Sequence, residues 1–300
     1  MKKLIYDHPI ILLVVGILGI SFSAIFVRLS SAPSVVTAAY RLLWTVLIMA
    51  PYVFSRKTIR QELAHIDRKL LLKSVISGIL LAVHFWTWFE SLQHTSVASS
   101  TIIVCTEVIW VALGYCLFMK GRLGGKSILA IAITLAGSVI MALSDSSMAG
   151  NELYGDILSL IAAIAVAAYT LLGRSVRREA STTSYTFIVY VFCALTLVLI
   201  ILIRQIPMFG YGWTSILSGL LLAVFSTLLG HSIFSWCLKY FSPAFVSASK
   251  LCEPVIAGIA ASFLFGELPT WLQILGDVIV LAGVVYFSLL EVKKPDSAAS

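Results

Sequence analysis

The sequence predicts an all-α polytopic membrane protein, with ten transmembrane helices arranged as two inverted five-helix repeats. Three observations carry that prediction: an apolar composition, ten runs long enough to cross a bilayer, and a similarity between the two halves of the chain. Of 300 residues, 60% are hydrophobic and 12% charged, and the mean hydropathy is +1.01. A single soluble core cannot use that much apolar surface.

Crossing roughly 30 Å of hydrocarbon takes about 20 apolar residues. Runs of that length extend from Pro9 to Val27, Val35 to Phe54, Leu71 to Leu92, Val97 to Met119 and Ser127 to Leu143. Five more follow, from Tyr154 to Leu172, Tyr185 to Ile203, Trp213 to Leu238, Pro243 to Phe265 and Thr270 to Leu290. The first run lacks an A-x-A cleavage pattern and leads directly into further spans, so it reads as a retained helix. The largest polar stretch is Ser55 to Lys69.

The charges orient these spans. With a cytoplasmic N-terminus, 17 of the 21 Lys and Arg fall in cytoplasmic loops and tails: Lys2, Lys3, Arg56, Lys57, Arg60, Arg68, Lys69, Lys73, Lys120, Arg122, Lys126, Arg174, Arg177, Arg178, Lys239, Lys293 and Lys294. Arg28 and Arg204 fall outside, and Arg41 and Lys250 lie within spans. One missed helix would invert every later loop, so the asymmetry supports the count and places both termini in the cytoplasm of an inner (plasma) membrane protein. The net charge of +7 belongs to orientation and anionic lipid headgroups, and leaves no nucleic-acid footprint. All five cysteines fall in spans without metal-ligand spacing and read as buried soft hydrophobes.

A shift of 146 residues aligns Leu92 with Leu238, Ser96 with Ser242, Glu107 with Glu253, and Leu135-Ala136-Gly137 with Leu281-Ala282-Gly283. At a slightly different shift, Ser77-Gly78-Ile79-Leu80-Leu81-Ala82-Val83 resembles Ser218-Gly219-Leu220-Leu221-Leu222-Ala223-Val224, so a small insertion separates the shared segments. Residues 1–147 form the first repeat, 148–291 the second and 292–300 a cytoplasmic tail. Five spans per repeat is odd, so the second copy enters from the opposite face. Two such halves can open a midplane cavity alternately to each side, which points to a transporter.

Leu251-Cys252-Glu253-Pro254, Phe265-Gly266-Glu267 at the close of that run, and Gly276 through Leu281-Ala282-Gly283 resemble the EamA repeat of the drug/metabolite transporter superfamily, and the resemblance covers nearly the whole chain as two copies. It implies a ten-helix export-type carrier whose cavity is lined by the first four spans of each half, as in amino-acid exporters of this type. The first copy departs from the pattern, with Val108 where the second has Pro254 and Gly121 where it has Glu267.

Candidate substrate-binding residues are Glu253, Lys250, Glu107, His84, Trp86, Arg41 and His231. At 1.5 Å rise per residue, Glu107 and Glu253 each lie about 15 Å into their runs, at the midplane. Lys250 and Glu253 are three apart, so on a continuous helix they share a face and can pair. Pro254 cannot donate to the Lys250 carbonyl, which frees an acceptor there. This notch suits the charged ends of a substrate or a proton-binding carboxylate; a structural ion pair is the plain alternative. Glu107 lacks a basic residue within a turn, so its partner comes from another helix, Arg41 being one candidate, or it is protonated. Arg41 can equally snorkel to an interface. His84 and His231 occupy nearly corresponding repeat positions and either line the pathway or sit satisfied in the core. Among the in-span aromatics Trp44, Trp86, Trp88, Trp110 and Trp236, Trp86 shares a helix with His84; packing and lipid contact are the alternatives. Trp213 and Trp271 suit the interface.

The sequence holds no H-E-x-x-H, G-x-S-x-G or phosphate-binding G-x-x-x-x-G-K-[ST]. The expectation is therefore a non-enzymatic secondary transporter for small organic metabolites, foremost an exporter of amino acids or related amphipathic compounds, using no cofactor and no metal. Its partners are the solute, membrane lipid and protons as a candidate coupling ion; a monomer suffices and a dimer is compatible. The alternatives are an importer or exchanger of anionic metabolites such as nucleotide-sugars and, from another class, a channel.

Overall fold

The computed structural model describes residues 9–95, 100, 103–144, 152–253, 255–256 and 270–292. Pro254, Phe265-Gly266-Glu267, Ser96 and residues 293–300 lie outside the described residues.

Among the described residues, six helices are long and apolar enough to cross a membrane. The first joins α1 (Pro9–Ser21) to α2 (Ser23–Arg28) through a turn at Phe22; the next are α3 (Ser34–Ser55) and, after the short polar helix α4 (Lys57–Ala64), α5 (Arg68–Ser91). Shorter apolar segments follow, α6 (Glu107–Phe118) and α7 (Gly125–Ser144). The second copy contains α8 (Glu152–Val176), α9 (Thr182–Ile203), and a span built from α10 (Gly212–Leu221), a π-helical stretch (Leu222–His231) and α11 (Ser232–Cys237). The chain closes with α12 (Pro243–Ser249) and α13 (Trp271–Val292).

Local chemistry sets several starts. The Asp67 carboxylate accepts from the Lys69 and Leu70 amides ahead of α5, Ser181 caps α9 through the Ser184 amide, and Ser242 caps α12 with Pro243 at its first position. Large apolar side chains such as Leu117, Phe118, Ile203 and Val278 remain exposed, as a hydrocarbon-facing surface requires. Trp213 and Trp271 are exposed as well.

Two features break the regular helical pattern. The repeat shifts of 141 residues at Ser77/Ser218 and 146 at Leu92/Leu238 give the second copy five more residues between Val224 and Leu238. The π-helical stretch falls there: extra residues in a helix widen its turns and loosen its hydrogen-bond ladder. The second feature is a pair of discontinuities. A turn at Thr106 separates residues 103–105 from α6, and a turn at Lys250 and Leu251 ends α12. Leu251 corresponds to Cys105 in the repeat register, so the breaks are adjacent. At both, amides turn to carbonyls three residues back, Thr106 to Ile103 and Lys250 to Ser247.

The described apolar core forms two clusters, and each draws on both repeats. One unites Val36, Leu42, Phe85 and Phe89 with Val166, Tyr185 and Tyr190. The other unites Ile17, Ile20 and Val108 with Phe234, Phe245, Leu251 and Phe287. The halves are thus interlocked, and a polar seam runs between the clusters.

Candidate functional site

A cavity of about 70 Å³, room for a few waters, lies at that seam. It is lined by Arg41, His84, Trp88, Cys105 and Glu107 from the first copy and by His231, Phe234, Ser247, Lys250, Leu251 and Glu253 from the second, with Ile20, Ser23, Val104 and Val166. Six of the seven candidates therefore share one cavity although the sequence separates them widely. The seventh does not. The Trp86 ring centre lies 5.1 Å from the Arg204 guanidinium carbon, and Trp88 lines the cavity in its place. The cause is helical: at about 100° per residue, His84 and Trp88 share a face of α5 while Trp86 points away. The Trp88 ring stacks on His84 with centroids 5.9 Å apart.

The ion pairing also differs from expectation. The Lys250 ammonium donates to Glu107 Oε1 at 2.9 Å across the two repeats, and not to Glu253. The turn at Lys250 and Leu251 disrupts the continuous helix on which residues three apart would stack. The Lys250 carbonyl is not left open either, since it accepts from the Glu253 amide at 2.8 Å. The break at Thr106 makes Glu107 the first residue of α6, at the positive end of that helix, and Lys250 follows the last residue of α12, at its negative end. Each charge is supported by its helix terminus. The Glu253 carboxylate takes no hydrogen bond or ion pair from the described residues and faces the cavity.

Arg41 does not partner Glu107 and does not snorkel. It is 1% exposed, its Nε donates to Thr227 Oγ1 at 2.7 Å, and its guanidinium carbon sits 3.9 Å from the centre of the Phe85 ring. Thr227 belongs to the π-helical stretch; the sequence marked it only through the repeat insertion. Gly219 permits this approach of α10 to α3, because a Cβ there would come 2.5 Å from the Tyr40 Cβ. His231 touches Phe85 edge-on at 5.2 Å and lies 6.5 Å from His84. His84 Nδ1 is 3.0 Å from the Ala162 carbonyl oxygen.

Polar contacts tie the helices together on both faces of the molecule. On the face carrying the basic loops, the Arg177 Nε donates to the Ser235 carbonyl at 3.1 Å and Arg174 Nη1 donates to the Leu238 carbonyl, tying α8 to the end of α11. Ser235 in turn meets the Tyr169 hydroxyl at 3.0 Å. Glu62 of α4 braces this face: its carboxylate accepts from the Ser181 amide at 2.6 Å and the Ser184 hydroxyl at 2.7 Å. Burial raises the Glu62 pKa, but these hydrogen bonds and the Arg177 charge outweigh it and hold the group below its usual range. On the opposite face Ser31 Oγ donates to the Tyr211 carbonyl at 2.8 Å and Tyr40 to the Met208 carbonyl at 2.5 Å, and the Thr95 hydroxyl donates to the Asp156 carboxylate at 2.9 Å.

The chain as a whole is similar to known proteins. A 26%-identical relative from Salmonella typhimurium, described as a "Probable amino-acid metabolite efflux pump", aligns over 93% of both chains. The Escherichia coli protein of the same description is 24% identical over 93% of both. An "Uncharacterized transporter" of Archaeoglobus fulgidus is 25% identical over 87% of this chain and 89% of its own. A solved crystal structure superposes with a TM-score of 0.77 at 15% identity, over 96% of this chain and 98% of its own, and shares the fold. The model of the EamA-like transporter family matches residues 8–143 and again 153–289, and the chain belongs to that family, as an integral membrane transporter.

Proposed function

We propose that this protein is a secondary transporter of the inner membrane that exports amino acids or related amphipathic metabolites. It works by alternating access between two inverted halves of five helices each, with both termini in the cytoplasm. The observation that carries the reading is the seam cavity, where charges of both signs from both repeats meet aromatic walls. A cavity at the contact of two interlocked halves is the place where their relative rocking exposes a solute to either side. Mixed charge suits a solute that carries both signs better than a strongly anionic one, and the names of the two efflux-pump relatives agree with that class. Protons are the candidate coupling ion, with Glu253 as the acid that carries them.

Counterflow of labelled amino acids in proteoliposomes, with and without an imposed pH gradient, tests this. Saturable exchange that is lost in Glu253→Gln supports recognition at the cavity. Exchange of nucleotide-sugars but of no amino acid would replace the substrate class, and a steady single-channel current would replace the carrier.

A further inference from the structure

Arg41 lines the cavity, and four of its five N–H donors are left without a partner among the described residues. Its Nε is committed to Thr227 and its face to Phe85. Nη1 and Nη2 are buried and have no hydrogen-bond partner among the described residues. A guanidinium presents five N–H donors in a rigid fork, and the edge formed by its two Nη atoms matches the two oxygens of a carboxylate. Leaving such donors buried and unmade is costly, so the site is built for an acceptor that arrives from outside the chain.

The other charges narrow what that acceptor belongs to. Glu107 and Lys250 satisfy each other. That leaves Arg41 and Glu253 as the two cavity charges without an ionic partner among the described residues. Both line the same cavity, yet no direct ion pair joins them. A neutral site with one separated cation and one separated anion is complementary to a zwitterion.

We infer that Arg41 binds the α-carboxylate of the solute through its two Nη atoms and that Glu253 receives the α-ammonium. The Glu107–Lys250 pair is then a cross-repeat strut and not a ligand contact. The inference rests on the amino-acid reading above and makes it specific: both charged groups of the solute are required, while the side chain meets the apolar wall of Trp88 and Phe234.

The test is a ligand-dependent melting shift of the purified native protein, titrated with leucine and with its two single-charge relatives, isocaproate and isoamylamine, followed by the same titrations in Arg41→Lys and Glu253→Gln. Alanine and threonine serve as further amino-acid probes. Native protein is expected to bind leucine at least about tenfold more tightly than either relative, the scale of one buried charged hydrogen bond. Arg41→Lys keeps the charge but loses the fork, and the preference for leucine over isoamylamine collapses. Glu253→Gln instead collapses the preference over isocaproate. The ligand-free melting curve of each variant reports folding independently. Amino acids binding equally well to native protein and both variants would overturn this assignment and leave the amino-acid reading standing. No shift with any amino acid would overturn both.

Discussion

Arg177→Gln is the sharpest probe of how the cavity is closed on the basic face. The Arg177 Nε–H donates to the Ser235 carbonyl and its Nη1 to the Ala180 carbonyl, so the side chain joins the α8–α9 corner to the last turn of α11. A buried hydrogen bond from a charged donor contributes about 1.5–3 kcal/mol, against about 0.5–1.5 for a neutral one. Losing the Ser235 contact therefore raises the population opened toward the basic face by about 10- to 150-fold. The opposite face offers a control from the repeat itself. At the shift of 146, Arg28 corresponds to Arg174 and Leu92 to Leu238. Arg28 is exposed and makes no hydrogen bond to the Leu92 carbonyl among the described residues, so Arg28→Gln removes no equivalent contact. Cys105 lines the cavity and serves as the reporter once Cys116, Cys193, Cys237 and Cys252 are replaced. The assay is its labelling rate by a membrane-impermeant maleimide in vesicles of each orientation. Labelling from the basic face is expected to rise in Arg177→Gln by that factor and to stay constant in Arg28→Gln. An unchanged rate in Arg177→Gln, or an equal rise from both faces, would refute the reasoning.

Three further outcomes are expected. Glu107→Gln strands the Lys250 ammonium in the seam and lowers stability by about 3 kcal/mol or more, and adding Lys250→Met recovers most of that loss, as melting of the detergent-purified protein will report. Because the folded-state pKa of Glu62 is depressed, its contribution is fully present above the ordinary value of 4.5 and is lost as pH falls through the folded value; Glu62→Gln should flatten that acid limb of a melting-against-pH profile. Trp88→Ala should weaken solute binding in the melting-shift titration, whereas Trp86→Ala, which removes a ring resting against Arg204, should leave it unchanged.

Much of this was legible in the sequence because it depends on local physics. Span length and hydropathy located the long helices to within a few residues, with the run expected from Tyr185 to Ile203 observed as Thr182–Ile203. The depth of Glu107 and Glu253 in apolar runs pointed to a shared level, and both line the seam cavity, Glu107 buried and Glu253 half-buried. Lys250 was harder: its nearest acid in sequence is Glu253, and only the turn beneath it, with Glu107 brought alongside by tertiary packing, decides for the partner 143 residues away. Trp88 could have been found by counting a full turn from His84. Thr227 left a weaker trace, since the repeat insertion shows that the helix must widen but not which hydroxyl will face Arg41. The polar stretch from Ser55 to Lys69 gave no sign that it would form a helix whose Glu62 caps α9.

The placement of the cross-repeat pair invites one more prediction. α12 follows the basic Lys239 loop and ends at the seam, whereas α6 starts there and leads toward the basic Lys120 loop, so a helix C-terminus and a helix N-terminus lie at the same depth. Glu107 occupies the positive end and Lys250 the negative end. Coulomb attraction between the two side chains is indifferent to which helix carries which sign, but the interactions with the helix ends are not. The transposed protein, Glu107→Lys with Lys250→Glu, retains an ion pair and reverses both terminal interactions. At about 0.3–1 kcal/mol for each terminus gained or lost, two favourable terms become two unfavourable ones, a difference of about 1–4 kcal/mol in stability. The transposed protein should therefore melt below the native protein yet above Glu107→Gln alone, because its charges are still matched. Equal stability of native and transposed proteins would show that the helix breaks contribute nothing to holding the pair. Transposition no better than the single variant would show that this seam cannot form the pair in reverse.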